Sequence, residues 1–151
     1  KRSTPVSRIE TLIKTMQWDI PQGLPVAVET LRGDMDPETM ATAMQVIVRF
    51  GSKSDAEKMV PLLDDSRVTG EAGYGAGQLI QSQVRDVAIA AIAILHDVPL
   101  AEVGFPRAEK HPMLGFTTLG IGYAETQKEI RLKNIKRVVE LVSENAKDGG
   151  S

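Results

Sequence analysis

The chain has 151 residues, a formal net charge of −2 and no cysteine. Its length suits one domain with a core of its own. The near-neutral charge gives no general attraction to nucleic acid or to an anionic membrane, and the absence of cysteine excludes disulfides, thiolate-bound metals and cysteine nucleophiles. No apolar run approaches the ~18 residues of a membrane span. The sequence begins at Lys1 and not at methionine, so we interpret it as processed or as part of a longer protein, whose upstream leader or anchor would not be visible here.

Apolar residues recur along the chain at the three- and four-residue spacing of helices that bury one face. They predict an N-terminal capping helix at 6–18, a pair of helices in 21–51, a second pair in 54–96 and a C-terminal capping helix at 125–146. Between 97 and 124 the proline and glycine content indicates an irregular connection. No segment alternates between apolar and polar residues as a half-buried strand would, so the sequence predicts an all-α fold class without a β-sheet.

Three local signals mark where these helices begin, end or bend. Asp36 followed by Pro37 and Glu38 has the residue order of a helix N-terminus, with a capping carboxylate, a proline in the first turn and an acid after it. Gly51 is expected to end that helix. Pro61 lies inside the next helical pattern and is expected to kink it, because proline has no backbone N–H to donate.

The segments MVPLLDDSRV and SQVRDVAIAAIAIL have the pattern of a packed helix pair. Their leucines, acidic turn, Val-Arg opening and spaced alanines resemble a HEAT repeat of the armadillo type, and are similar to HEAT-like bacterial proteins of unassigned function. Residues 24–51 form a weaker copy, in which Ala41 stands at the position of Arg85. The resemblance implies a short HEAT-like α-solenoid of antiparallel helix pairs that acts in protein–protein interaction or as a scaffold. Ala88 and Ala91 are small enough for neighbouring helices to approach closely, so we expect both to be buried.

The stretch TGEAGYGAGQL, residues 69–79, contains four glycines and has the composition of a phosphate-binding loop. A P-loop also needs a strand before it and Gly-Lys-Ser/Thr after it, and the sequence has neither. The stretch delays the start of the next helix, so we interpret 68–80 as an exposed, mobile insertion within the second helix pair. Tyr74, between Gly73 and Gly75, is the candidate for contact with a partner; the alternative is that it folds back onto the core.

The two histidines are too few for a structural zinc site in a chain without cysteine, and we predict neither a metal nor a cofactor. His96 ends the most apolar helix, where an imidazolium would meet the negative end of the helix dipole. His111 lies near Arg107 and Glu109 in the sequence, and is a candidate general base or ligand. His111, Glu109, Arg107 and Tyr74 form the candidate site of a small hydrolase or lyase, which is one alternative function.

The run KEIRLKNIKR, residues 128–137, carries five basic residues and one acid. It makes Lys128 and Arg131 candidates for partner contact, and binding of nucleic acid through this helix is a second alternative. A charge run on a helix is more often its solvated face. The favoured function is a non-enzymatic module that binds a protein or peptide. The sequence predicts no particular process, compartment or oligomeric state.

Overall fold

A computed structural model describes residues 5–75 and 78–147 of the chain. The protein is mostly helical, as the sequence predicts. The α-helices are α1 (Pro5–Gln17), α2 (Leu24–Arg32), α3 (Pro37–Phe50), α4 (Val84–Leu95) and α5 (Lys128–Lys147). Short 3-10 segments lie at Pro21–Gly23, Leu100–Val103 and Glu125–Gln127, and a longer one lies at Lys53–Asp64. Among the described residues, no helix is both long and apolar enough to cross a membrane.

The helix boundaries around α3 follow from local chemistry and confirm the sequence prediction. The Asp36 carboxylate accepts a hydrogen bond from the Thr39 backbone N–H at 3.2 Å and another from the Thr39 hydroxyl at 2.6 Å. At the other end, the Gly51 N–H donates to the Ile47 carbonyl at 2.7 Å. A Cβ atom at Gly51 would lie only 2.5 Å from the same Ile47 oxygen, so a larger residue here would need the chain to move.

The segment around Pro61 is wound as a 3-10 helix along its whole length, where the sequence predicts a kinked α-helix. Proline removes one N–H donor, which interrupts the α-helical hydrogen bonds at this point. The buried residues Ala56, Met59 and Leu62 are spaced by three. Three residues complete one turn of a 3-10 helix, so this tighter winding aligns the three side chains on one buried face.

Helix α4 forms the centre of the core. Every side chain from Asp86 to Ile94 is buried, and Ala88 and Ala91 are fully inaccessible to solvent. The helix packs against α3, α5 and the 3-10 helix Lys53–Asp64. A helix that is surrounded on all sides has apolar residues around its whole circumference. The spaced alanines let the neighbouring helices approach α4 closely.

Two small sheets correct the prediction that the chain contains no β-structure. Strands β1 (Val68–Gly75), β2 (Gln78–Gln83) and β5 (Tyr123–Ala124) form one sheet in the order β1-β2-β5. Strands β3 (Lys110–His111) and β4 (Gly115–Phe116) form the other, and both sheets are antiparallel. The predicted insertion 68–80 is thus largely a β-hairpin and not a slack loop.

The sequence conceals this hairpin because its buried positions are not strongly apolar. Along β2, exposed and inward residues alternate. Leu79 and Gln81 are exposed, Ile80 is partly buried and Ser82 is buried. The alternation is therefore present in the fold, but a serine occupies one of the inward positions. Strand β1 includes three glycines, which have low intrinsic preference for strands.

The connection from 97 to 124 is held against the helices by specific hydrogen bonds and not by regular elements alone. Asp97 has a φ of 58°, and the next residue, Val98, donates its N–H to the Ala93 carbonyl at 2.8 Å, which closes the C-terminus of α4. Further along, the Gln45 side chain donates to the Phe116 carbonyl at 2.8 Å. A Cβ at Gly115 would lie 2.6 Å from the Gln45 backbone oxygen, so the β3–β4 hairpin lies directly on α3.

Candidate functional site

Arg131 is buried and does not belong to the basic surface that the sequence predicts. Its guanidinium donates two hydrogen bonds to the Asp86 carboxylate, from Nε to Oδ1 at 2.8 Å and from Nη2 to Oδ2 at 3.0 Å. The side chains are 7% and 0% exposed respectively. Burial raises the pKa of the Asp86 carboxyl, and the two bonds from Arg131 oppose that rise. This pair joins α4 to α5 and cannot contact a partner on the surface.

Tyr123 extends the same buried network toward the 97–124 connection. Its hydroxyl donates to the Val103 carbonyl at 2.6 Å, and Asn134 donates to that carbonyl at 3.1 Å and to the Tyr123 hydroxyl at 3.2 Å. The Arg131 guanidinium carbon lies 5.1 Å from the centre of the Tyr123 ring, a cation–π arrangement. Burial raises the pKa of the Tyr123 hydroxyl well above its ordinary value, so it stays protonated and acts as a donor. We assign this network a structural role.

Two of the four other basic residues in the run on α5 are paired with acids. Lys128 lies 2.8 Å from a Glu125 carboxylate oxygen, and Arg137 lies 2.9 Å from Glu102. Lys128 remains exposed, so it is still accessible to a partner. With Arg131 buried, the exposed cations of the run that have no acid within salt-bridge distance in the described part of the chain are Lys133 and Lys136. Phosphate recognition usually draws on several adjacent cations, and of the five basic residues in this run one is buried and two are paired with acids.

The hydrogen bonds of His111 give it a different chemistry from the general base that the sequence suggests. Its Nδ1 atom accepts from the Met113 N–H at 3.1 Å and from the Leu114 N–H at 3.0 Å. An imidazole nitrogen that accepts hydrogen bonds carries no proton, so in the neutral ring the proton is on Nε2. His111 thus lacks a basic nitrogen that is free to take a proton, and offers a donor at Nε2.

The other members of the predicted catalytic set lie on separate short segments. Glu109 and Arg107 are exposed in the approach to β3, where the Glu109 carbonyl accepts from the Thr117 N–H at 2.9 Å. Tyr74 belongs to β1, and its backbone is paired with Leu79 of β2. The Tyr74 side chain lies outside what the structure describes. Arg107, Glu109 and His111 lie in one stretch of the chain, and the use of the four residues as a catalytic group stays a prediction.

His111 lines an open depression of about 330 Å³ on the protein surface. We call it the basic depression. Its walls come from the end of α3, the end of α4 and the β3–β4 hairpin, and its lining residues are Val48, Arg49, Ile94, Lys110, His111, Pro112 and Gly115. Sequence reasoning identified His111 in this group, but missed Lys110 and Arg49. They lie more than sixty residues apart in the chain, and only the packing of the hairpin on α3 brings them together.

Arg49 is the structural centre of the basic depression. One guanidinium nitrogen donates to the carbonyls of Met113 and Met16, the latter at 3.3 Å, and the other lies 2.7 Å from an Asp19 carboxylate oxygen. Asp19 itself has a φ of 54°, a left-handed conformation at the turn after α1. Arg49 therefore ties α1, α3 and the β3–β4 hairpin together, and Asp19 balances its charge.

His96 lies at the C-terminal cap of α4, as the sequence predicts, but burial opposes the favourable effect of the helix dipole on a cationic imidazole. Burial lowers the pKa of His96, and the positive charge of Lys53 lowers it further. Its Nε2 atom is buried and has no hydrogen-bond partner among the described residues. The neutral ring is thus favoured at the end of α4, in the opposite direction to the expected effect of the helix dipole.

The β1–β2 hairpin makes up most of the three-stranded sheet. Gly73 of β1 is paired with Ile80 and Gly75 with Gln78, while Gln78, Leu79 and Gln81 of β2 are exposed. Strand β2 lies between β1 and β5, so β1 forms one edge of the described sheet. This places the predicted partner-binding positions Gly73, Tyr74 and Gly75 on an edge strand.

The described residues contain no group of three or more histidine, aspartate or glutamate side chains that could hold a metal ion. The candidate functional features of the described chain are therefore an edge strand and a basic depression. Comparison of this chain with protein-family models, with curated proteins and with solved structures gives no match.

Proposed function

We propose that this protein is a non-enzymatic binding module that captures an extended segment of a partner protein along the free edge of β1. The observation that carries the proposal is the sheet order β1-β2-β5, in which the eight-residue strand β1 has one paired neighbour among the described residues. An edge strand presents a row of unpaired backbone groups, and an incoming peptide can pair with them as an additional strand.

The register of the hairpin identifies the backbone groups that face the partner. Only two residues separate Gly75 from Gln78, so this pair closes the hairpin through mutual hydrogen bonds. Hydrogen-bonded and non-hydrogen-bonded pairs alternate in antiparallel strands. The N–H and C=O groups of Tyr74 and Ala72 accordingly point away from β2, toward the open edge.

The composition of β1 supports this use of its edge. Proteins protect exposed edges against pairing with lysine, with proline or with a bulge. Strand β1, with the sequence VTGEAGYG, contains no lysine and no proline, although its register shifts between Val68 and Ala72. Its three glycines leave room for another backbone to approach closely. We infer that the unshifted part, from Ala72 to Gly75, is where a peptide strand would pair.

Exposed apolar side chains beside this edge supply a second source of affinity. Val68 at the start of β1 is 42% exposed and Leu79 of β2 is 52% exposed. Backbone hydrogen bonds alone give little net free energy in water, and buried apolar area adds to them. The helical body beneath the hairpin is a rigid support in this proposal, and a HEAT-like stacking of its helices remains our interpretation of that body.

The proposal can be tested with a phage-displayed library of random 12-residue peptides, selected against the whole chain. We expect enrichment of peptides rich in β-branched and aromatic residues, and protection of β1 amides from hydrogen exchange when such a peptide is bound. Ala72→Pro removes an outward N–H and should weaken binding by about tenfold. Ala72→Val keeps that N–H and is the matched control.

Failure to enrich any peptide would contradict the proposal, as would equal binding by the Ala72→Pro and Ala72→Val variants with both proteins folded by circular dichroism. A third outcome would replace the partner. If the free chain self-associates in sedimentation experiments and Ala72→Pro abolishes that association, the edge pairs with a second copy of this chain and not with a peptide.

A further inference from the structure

We propose that the basic depression binds a small organic carboxylate, whose charged end meets Lys110 and His111 and whose apolar body lies on Val48, Ile94 and Pro112. This site is separate from the β1 edge, and it uses the histidine that the binding of a peptide strand leaves without a role. The inference rests on three features of the depression: its donors, its net charge and its size.

The first feature is the orientation of His111. Its Nδ1 atom is fixed by the two backbone N–H groups of Met113 and Leu114, at 3.1 and 3.0 Å. These bonds lock the ring in position and leave the protonated Nε2 as the donor. The ring lines the depression, and the proposal takes Nε2 as the donor that meets a ligand there. A fixed donor suits recognition of an anion better than catalysis by proton abstraction.

The second feature is a charge balance that favours a singly charged anion. Asp19 is 2.7 Å from Arg49, so the charge of Arg49 is already compensated. Lys110 is exposed at the rim and lines the depression. Among the residues that the structure describes, no carboxylate lies within salt-bridge distance of the Lys110 ammonium. One free cation and one neutral donor match the two oxygens of a carboxylate, whereas a phosphate dianion would retain excess negative charge.

The third feature is the shape and lining of the depression. Its volume of about 330 Å³ lies at the lower end of the range for small-molecule sites. Val48 from α3, Ile94 from α4 and Pro112 from the hairpin line it with apolar atoms. A ligand with a single ring or a short branched chain fits this volume. Because the depression is open to solvent, we expect affinity on the order of 1 mM and not tighter.

Benzoate is a suitable probe, because it combines one carboxylate with one apolar ring. We expect titration of the ¹⁵N-labelled whole chain with benzoate to give saturable shifts of the amides of His111, Gly115 and Ile94. Benzamide has the same ring without the charge, and inorganic phosphate has the charge without the ring. Both should bind at least about fivefold more weakly than benzoate if charge and apolar contact are each needed, since roughly 1 kcal/mol separates them.

Two substitutions separate the contributions of the donors. Lys110→Gln removes the cation, and we expect it to weaken benzoate binding by about fivefold. His111→Asn keeps an acceptor for the two backbone N–H groups but removes the imidazole donor, and we expect a similar loss. Lys133→Gln, on the exposed face of α5, is the matched control and should leave the affinity unchanged.

The proposal is overturned if benzoate shifts no amide of the depression, or if benzamide or phosphate binds there as tightly as benzoate does. It is also overturned if Lys110→Gln and Lys133→Gln change the affinity equally. Peptide binding at β1 is measured in the same variants, and we expect Lys110→Gln to leave it intact. A failure at one site is thereby distinguished from a failure at the other.

Discussion

The two ends of α4 lie in the same core but differ in how their polar groups are satisfied. At the N-terminal end, Asp86 accepts hydrogen bonds from Arg131 and from the Gln83 backbone N–H, and it is fully buried. At the C-terminal end, the buried Nε2 atom of His96 has no partner among the described residues, and Ile94 opens onto the basic depression. We call the N-terminal end of α4 the closed end, because its buried carboxylate is paired. We call the C-terminal end the open end, because it borders the basic depression.

This difference separates charges that stabilise the fold from groups that can bind. A buried charge is costly unless it is paired, and Asp86 and Arg131 are bonded to each other and closed off from the surface. At the other end, Lys110 is exposed, His111 is partly exposed, and both line the basic depression. The position of a residue relative to the core therefore matters more for function here than its charge in the sequence.

The largest effect on stability is expected from removing the Asp86–Arg131 ion pair at the closed end. Arg131→Met leaves the Asp86 carboxylate buried without its partner, and should lower the free energy of unfolding by about 3–5 kcal/mol. Urea denaturation followed by circular dichroism measures the change. Lys133→Met, on the exposed face of the same helix, is the control and should have little effect. A loss below about 1 kcal/mol in Arg131→Met would mean that the pair is not buried as described.

The double variant Asp86→Leu with Arg131→Met sharpens the same test. Replacement of both ions by apolar residues removes the uncompensated charge, so the double variant should be more stable than Arg131→Met alone. Equal or lower stability of the double variant would show that the charge is not the main reason for the loss.

An intermediate effect on stability is expected from a substitution in the middle of α4. Ala91 is fully buried, and Ala91→Leu should destabilise the protein by about 1–3 kcal/mol through overpacking. The thermal midpoint provides the measurement. Ala101→Leu, at an exposed position of a 3-10 segment, adds the same atoms outside the core and should leave the midpoint nearly unchanged. Equal midpoints for the two variants would contradict the close packing around α4.

A smaller effect is expected from Tyr123→Phe, which removes one donor from the closed end. The Val103 carbonyl keeps its bond from Asn134 at 3.1 Å, so it is not left without a partner. We expect a loss of about 1 kcal/mol in chemical denaturation, typical of one buried hydrogen bond. A loss as large as that of Arg131→Met would show that Tyr123 supports the network by more than its hydroxyl.

The smallest effect on stability is expected from the protonation of His96 at the open end, and it depends on pH. Because burial lowers the pKa of His96 in the folded protein, the unfolded chain binds this proton more readily. The contribution of His96 to stability is therefore fully present above about pH 6.5, and is lost as the pH falls toward the lower pKa of the folded state. The free energy of unfolding of His96→Gln should fall less than that of the wild type between pH 7 and pH 5. Identical slopes would show that His96 is not protected from protonation.

The sequence alone predicted the helices and part of their packing. The burial of Ala88 and Ala91 is predicted from the small residues spaced along α4, although the helices that cover them are distant in the chain. Periodic apolar residues define a helix within a few turns, and the Asp36 cap is made with Thr39, three residues later. The helices and this cap could be predicted because the interactions that produce them are local. The mostly helical class of the protein follows from them.

The tertiary structure alone decided the β1–β2 hairpin, the burial of Arg131 and the donor role of His111. Strand β2 is stabilised partly by β5, which lies about forty residues later in the sequence, and no local pattern records that pairing. Arg131 meets an acid 45 residues away, so a basic run that resembles a solvated surface contains a core residue. His111 became a donor because a turn presents two backbone N–H groups to its other nitrogen. In each case the chemistry of a side chain depends on a partner that only folding brings close to it.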